Sequence, residues 1–389
     1  MRNLFHDVST PCVYLKWENF LENITKVIQS VGNKKVRIAT KSIRCTSILS
    51  FLQQYDDKFD GLMCYSPYEA VFLSQKDFDN ILLGYPIMDY EGIKQIAYEV
   101  SKKKKIIFMC DDVLQIDLIE HVAQELQVSL SICLDIDMST KFGPLHFGVR
   151  RSPITNVIQI DVLLKKFANN PYIKLVGVMG YEAQIAGVAD NVPNMLFKNK
   201  LIQGLKKMSY KTIKHRREEI VKYIENQGFP LQLVNGGGSG SVHSTREESV
   251  ITEITVGSAF YSPSLFMQYK EYDYKNAIGY ALPIVRKPAK NIYTVTSGGF
   301  IASGSTNLDK QPTPIEPKGS SLLSLEGAGE VQTPVFYDGD EDLDIGDVIL
   351  FQPSKAGEIA ERFKNIYIIE NNKIREQFLT YRGEGECFL

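Results

Sequence analysis

Short apolar runs punctuate the first two-thirds of the chain, each followed by a stretch of helical periodicity. The runs are Val36–Thr40, Gly61–Cys64, Ile81–Leu83, Ile106–Cys110, Leu130–Asp135, Leu175–Met179, Leu231–Val234 and Glu253–Val256. Continuous apolar runs of this length suit parallel strands covered on both faces. Between them, Phe20, Leu21, Ile24, Val27, Ile28 and Val31 recur at helical spacing. Ser66-Pro67-Tyr68-Glu69 reads as a helix start, with a serine cap, proline at the first position and glutamate at the third. Strands alternating with helices through about Tyr261 predict a closed (β/α)8 TIM-type barrel. A doubly wound open sheet is the alternative the strand count leaves.

After Tyr261 the helical period fades. Ile292–Thr296 and Val348–Phe351 are β-type runs set among Gly, Pro and Asp clusters, and Gly346-Asp347 signals a turn. A second, β-rich domain is predicted there. Thr10–Leu15 also reads as a strand and is expected to join it. The predicted division is residues 16–265 for the barrel and 266–389 with 1–15 for the β-rich domain.

Composition narrows the function. The 389 residues are 44% hydrophobic and 23% charged, with a formal net charge of -2 and a pI near 6.3. A near-neutral chain lacks the basic footprint of a nucleic-acid binder. No run reaches the apolar length of a membrane span. The start, Met-Arg-Asn-Leu-Phe-His-Asp, has no apolar core of a signal peptide, so a cytoplasmic protein is expected. Six scattered cysteines (Cys12, Cys45, Cys64, Cys110, Cys133, Cys387) form no CxxC or Cys/His cluster and are expected as reduced core thiols.

Two features carry chemistry. Lys41 falls where the first barrel strand ends, and strand C-terminal ends are where such barrels place their reactive groups. A lysine amine there can form a Schiff base with an aldehyde cofactor. The second feature is Asn235-Gly236-Gly237-Gly238-Ser239-Gly240-Ser241, directly after the seventh run, followed by Gly257-Ser258-Ala259 after the eighth. Glycine lets backbone N–H groups close on an anion, and a following helix would add its N-terminal dipole. Barrel enzymes bind phosphate on the loops after strands seven and eight. The spacing matches neither a dinucleotide fingerprint nor a P-loop.

This layout resembles pyridoxal-phosphate enzymes of the alanine-racemase-like barrel type (fold type III), and within it the D-threonine aldolase and D-serine dehydratase family. That family's lysine segment reads roughly V-R-P-H-x-K-T-H-K. Here Val36-Arg37-Ile38-Ala39-Thr40-Lys41-Ser42-Ile43-Arg44 keeps Arg37 and Lys41 and lacks both histidines. Tyr65–Ala70, Ile81–Pro86 and Thr252–Tyr261 resemble further strand-end regions. Glu326–Pro334 and Lys355-Ala356-Gly357-Glu358 resemble the branch labelled amino acid deaminase/aldolase.

The resemblance implies a pyridoxal-phosphate-dependent lyase acting on a small β-hydroxy amino acid of D configuration, by dehydration and deamination or by aldol cleavage. It implies that Lys41 carries the cofactor. Gly237, Gly238, Ser239, Gly257 and Ser258 would hold the phosphate, and Tyr181 would lie near the ring. Arg150 would bind a substrate carboxylate or tune the cofactor. Arg37 is expected as the cationic neighbour that lowers the Lys41 amine. The family's metal is held by a histidine and a Cys or Asp two residues later. Here Pro353-Ser354-Lys355-Ala356-Gly357 carries lysine and glycine at those places, so no divalent metal is expected. Lys355 would act as a fixed positive charge, paired with Glu358 or Glu330. Of the histidines only His243, beside the glycine loop, is a candidate. Lys214–Glu219 reads as a solvated helix face. A homodimer is implied. Two other readings stay open: an amino acid racemase, against which Cys45 stands where racemases carry tyrosine, and a non-catalytic pyridoxal-phosphate carrier.

Overall fold

The computed structural model describes residues 1–305 and 308–389. The chain divides into two compact units: Ile28–Thr40, Ser50–Gly257 and Phe388–Leu389 form one, and Met1–Val27, Lys41–Leu49 and Ser258–Cys387 the other.

The first unit is a closed eight-stranded parallel barrel. Its strands are β2 (Lys35–Ala39), β3 (Phe59–Cys64), β4 (Ile81–Pro86), β5 (Ile106–Cys110), β6 (Leu130–Asp135), β9 (Ile173–Gly180), β10 (Leu233–Gly236) and β11 (Glu253–Val256). A small hairpin, β7 (Thr140–Phe142) and β8 (Leu145–Phe147), follows β6. β11 returns to β2 with Glu253 opposite Lys35, which closes the ring. The open-sheet alternative is therefore excluded.

The apolar runs form strands because both of their faces are covered. Leu82, Ile107, Met109, Cys133, Val176, Met179 and Leu233 pack together, all nearly inaccessible. The helix Pro67–Gln75 starts as predicted. Ser66 Oγ accepts from the Glu69 N–H at 3.2 Å, and Glu69 Oε2 accepts from the Tyr65 N–H at 2.8 Å.

One charged layer breaks the apolar interior. Arg37, fully buried, grips Glu253 through Nε at 2.6 Å and Nη2 at 2.9 Å. It also donates to the carbonyls of Leu62 and Asn80. Asn235 donates to Glu253 and Thr255, each at 2.8 Å. Buried charge is tolerated because every partner is satisfied. Glu253 is the first residue of β11, so this layer sits toward the N-terminal end of the barrel. The guanidinium is spent on that carboxylate, which corrects the expectation that Arg37 serves Lys41.

The second unit is built on a nine-stranded sheet: β1 (Cys12–Lys16), β12 (Ile278–Ala289), β13 (Ile292–Thr296), β14 (Thr313–Glu316), β15 (Ser320–Leu322), β16 (Gln332–Tyr337), β17 (Val348–Gln352), β18 (Asn365–Glu370) and β19 (Lys373–Leu379). β1 lies between β12, antiparallel, and β18, parallel. The N-terminal strand is thus a central member of this sheet, with Cys12 and Tyr14 in a cluster with Phe5, Ala281, Val348, Leu350 and Ile369. Five of the six cysteines are buried, while Cys387 is exposed, contrary to its expected core position. Among the described residues no helix is long and apolar enough to cross a membrane.

Candidate active site

In the barrel unit, the glycine loop is suspended from one buried carboxylate. β9 ends at Gly180, and the chain continues through Tyr181 to Glu182. Glu182 Oε2 accepts from the Gly237 N–H at 3.2 Å, and its Oε1 accepts from the hydroxyls of Ser241, at 3.0 Å, and Thr245. Arg217, fully buried on the helix Leu196–Asn226, donates to Glu182 at 3.0 Å and to the Gly180 carbonyl at 2.9 Å. Its other nitrogen meets Glu248. Burial raises the Glu248 carboxyl above its ordinary range, with Arg217 opposing. One guanidinium therefore fixes Tyr181 and the loop together.

This corrects the reading of Lys214–Glu219 as a solvated face. Arg217 shares a stripe with Ile213, Ile220, Val221 and Ile224, all buried. Arg216 is also drawn inward, donating to the Ser139 carbonyl at 2.9 Å and to that of Asp137.

The loop needs its glycines. Gly237 has φ +84°, and a Cβ there would lie 2.7 Å from Ile254. A Cβ on Gly238 would press on Tyr181 at 3.1 Å and Ala186 at 3.0 Å. Both N–H groups are engaged, Gly237 with Glu182 and Gly238 with Ser241 Oγ at 3.0 Å. These two residues shape the turn rather than offer donors to an anion. Ser239 stands at its tip. A single helical turn, Val242–Thr245, follows, with His243 exposed on it. No long helix stands behind the loop to supply a dipole.

Across the strand ends, Gly84, Tyr85, Asp135, Asp137, Met138, Val149, Arg151, Ser152, Met179 and Tyr181 line a small cleft of about 20 Å³. The Arg151 guanidinium lies 5.8 Å from the Tyr85 ring centroid and 5.7 Å from that of Tyr181, within cation–π range of both. Burial pushes the Tyr181 phenol up to about 12, so it stays protonated at neutral pH. Arg150 is exposed and outside the lining; the cleft's cation is its neighbour Arg151.

In the second unit, Lys41 is exposed on the turn Thr40–Ser42, two residues past the end of β2. Its backbone is held on two sides. Arg44 Nε donates to the Lys41 carbonyl at 3.0 Å, and Arg44 pairs with Glu361 at 2.7 Å. Gly357 packs so closely that a Cβ on it would stand 1.8 Å from that carbonyl oxygen. Ser42 and Ser258 meet hydroxyl to hydroxyl at 3.3 Å. Cys45 is buried, its thiol pushed up to about 12.

Gly357→Ala has no room unless the Lys41 turn moves. It is expected to lower stability by about 1–3 kcal/mol and to weaken chemistry at Lys41. Thermal melting and reactivity of the Lys41 amine toward pyridoxal phosphate check both. An unchanged melt with unchanged reactivity removes the contact from the account.

Lys355 donates to Ser303 Oγ at 2.7 Å and pairs with Glu358 at 3.3 Å. Burial raises the Glu358 carboxyl, but hydrogen bonds from Ser303 and the Lys355 charge bring it below its ordinary range. Glu330 is exposed; of the two carboxylates expected beside Lys355, Glu358 is the partner. Among the described residues no cluster of His, Cys, Asp and Glu could hold a metal ion.

Sequence reasoning missed Glu182, Arg217 and Asp135. The helical phase of Ile213, Ile220 and Ile224 was the signal for Arg217. Glu182 and Asp135 stand at strand ends, where a carboxylate reads as a solvated turn.

No family model matches the chain. It is 22% identical to the 3-hydroxy-D-aspartate aldolase of Paracoccus denitrificans (strain Pd 1222) over 254 residues, 65% of this chain and 60% of that one. The match therefore spans less than two-thirds of the curated relative. The structure of D-threonine aldolase from Filomicrobium marinum superposes with a TM-score of 0.83 at 16% identity, covering 97% of this chain and 96% of that one. D-threo-3-hydroxyaspartate dehydratase from Delftia sp. HT23 gives a TM-score of 0.79 at 13% identity, covering 97% and 98%. The chain has the fold these proteins share, a (β/α)8 barrel with a β-rich second domain, along nearly its whole length.

Proposed function

We propose that this protein is a pyridoxal-phosphate-dependent lyase of small β-hydroxy D-amino acids. The observation that carries the reading is an exposed lysine directly after the first strand of this barrel, on a fold held in common with a D-threonine aldolase over 97% of the chain. The curated relative, an aldolase of 3-hydroxy-D-aspartate, supports the same substrate class.

The residues present fit the cofactor. A tight turn that tolerates no side chain at Gly237 or Gly238, capped by Ser239, suits a phosphate. Gly257 and Ser258, after β11, would supply donors to it. Tyr181 would lie beside the ring. When bound, pyridoxal phosphate supplies an electron sink for the bond broken at Cα. Lys41 would hold the cofactor covalently and carry the proton at the substrate's Cα. Arg151, in place of Arg150, would anchor the substrate carboxylate. Lys355, fixed by Ser303 and Glu358, would set a positive charge on the substrate hydroxyl in place of a divalent metal. The enzyme would work as a cytoplasmic homodimer.

The test is product analysis with D-serine, D-threonine and D-3-hydroxyaspartate beside their L-isomers. Pyruvate, 2-oxobutyrate or oxaloacetate with ammonia identifies a dehydratase; glycine with formaldehyde, acetaldehyde or glyoxylate identifies an aldolase. No turnover of any of them, with pyridoxal phosphate bound, sinks the lyase. Lys355→Ala is expected to lower kcat by about 10²–10³ while the bound cofactor's absorption is retained. Undiminished kcat removes Lys355 from the mechanism.

A further inference from the structure

The helix Leu196–Asn226 of the barrel unit has 31 residues, a length of about 46 Å, while the strand before it has 8. Its C-terminal half is buried along Ile213, Arg217, Ile220, Val221 and Ile224. From Leu196 to Met208 only Asn199 is buried. This first half is nevertheless fixed in place. Asn199 Nδ2 donates to the Val192 carbonyl at 2.8 Å, and its Oδ1 accepts from the Val192 N–H at 3.1 Å. Lys206 pairs with Asp190 at 3.1 Å. Ser209 meets Thr140, on the β7–β8 hairpin, hydroxyl to hydroxyl.

The outward face of this half is an apolar ridge. Phe197, Leu201 and Met208 lie within about 40° of one another around the helix axis, opposite the buried Ser209, Ile213 and Arg217. They are 86%, 56% and 50% exposed. Gly204 falls in the same ridge between Leu201 and Met208, and a Cβ there would meet nothing within 4 Å. Charge on this half has one sign. Between Asp190 and Glu218 the chain carries eight Lys and Arg and no acidic residue, in a protein of net charge -2. Lys206, Arg216 and Arg217 turn inward to their partners. Lys200, Lys207 and Lys211 are exposed, in a file about 60–100° to one side of the ridge, and Lys198 is exposed on its other side.

We propose that the first half of this helix is a docking surface for an anionic lipid membrane, with Phe197, Leu201 and Met208 entering the headgroup layer and the flanking lysines held at its phosphates. Helices with an apolar ridge and basic flanks lie in the plane of a membrane surface rather than span it. Lysine suits the flanks, because its stem covers apolar surface while the ammonium stays at headgroup level. Each such lysine adds attraction to an anionic leaflet. A second copy of the chain fits this surface less well. A stable protein interface buries about 800 Å² on each side and is depleted of lysine. This ridge is three side chains on one helix, about 16 Å long, and lysine rims it. A nucleic acid would engage the lysines and leave the ridge in water. No residue of the proposed lyase site belongs to the ridge, so the two proposals stand or fall separately.

Co-sedimentation of the full chain with vesicles of phosphatidylcholine alone, and of phosphatidylcholine mixed with phosphatidylserine, reads the docking. Binding is expected to the phosphatidylserine vesicles only, and it is expected to weaken as salt is raised. Leu201→Ser is expected to lower it about tenfold. The triple change Lys200→Gln, Lys207→Gln and Lys211→Gln is expected to lower it about 100-fold. Both variants alter exposed positions and are expected to melt as the unaltered chain does, which separates lost docking from lost folding. Gly204→Leu fills the gap in the ridge, where a side chain has room, and is expected to raise binding about tenfold. Absence of binding to phosphatidylserine vesicles, equal binding to both kinds of vesicle, or binding unchanged in Leu201→Ser and in the lysine triple overturns the proposal. So does a chain that ignores vesicles but whose self-association, read by analytical ultracentrifugation, is lost in Leu201→Ser; the ridge then belongs to a second copy.

Discussion

Lys41→Ala is expected to abolish the visible absorption that pyridoxal phosphate gives on the protein and to lower turnover by about 10⁴-fold, the upper end of what a positioned proton-transfer group contributes. The size follows from two roles falling on one amine, covalent attachment of the cofactor and proton transfer at Cα. The structure leaves that amine exposed on a turn whose backbone is clamped by Arg44 and Gly357. Deleting the side chain therefore removes the chemistry without removing a packing element. Lys35→Ala is the matched control. Lys35 begins the same strand and donates to the Asp57 carbonyl at 2.8 Å. Its loss is expected to leave the absorption band in place. Equal loss from both variants points to general disruption of the strand and removes Lys41 from its assigned role.

Arg217→Met is expected to be the most destabilising single change in the barrel. It removes the one guanidinium between Glu182 and Glu248, both almost wholly buried. Two carboxylates then remain in a low-dielectric interior without a counter-charge, a situation that costs about 3–5 kcal/mol. The melting temperature is expected to fall by about 10 °C. The loss has a local signature too. Glu182 holds Gly237, Ser241 and Thr245, so pyridoxal phosphate should bind less tightly even where the variant is folded. Fluorescence titration of the cofactor below the melting range separates this from global unfolding. A variant that melts as before with unchanged cofactor affinity contradicts the suspension of the loop from Glu182. Glu182→Gln is the gentler companion, because it keeps the hydrogen-bonding shape and drops one charge.

How much of this was legible in the residues depends on what each position faces. Ile106–Cys110, Leu130–Asp135 and Glu253–Val256 form strands with the predicted bounds, because apolar runs buried on both faces leave a plain signal. β10 was placed two residues early, at Leu231–Val234. The strand runs on through Asn235 and Gly236, and Asn235 belongs there because its amide satisfies Glu253 and Thr255 inside the barrel. A polar residue reads as the end of a strand unless its partner, 18 residues away, is known. Arg217 was lost for the same reason: a basic run next to two glutamates looks solvated, although the apolar spacing of the helix places Arg217 on the buried stripe. Arg150 and Arg151 are sequence neighbours, and only the turn after the β7–β8 hairpin decides which of them reaches the cleft. The glycine loop was found, but not the inward engagement of Gly237 and Gly238. Their N–H groups face the protein, which no linear motif reveals. Gly357 stands where the resembled family has a metal ligand, and the structure supplies a reason for glycine there in the carbonyl of Lys41.

The most direct test of the central claim is the visible absorption spectrum of the purified full chain with pyridoxal phosphate, recorded before and after addition of D-threonine and D-serine. The account predicts a protein-bound band that is absent in Lys41→Ala and that changes on adding a D-substrate but not its L-isomer. A chain that stays colourless after reconstitution, or whose band is the same in Lys41→Ala, contradicts it.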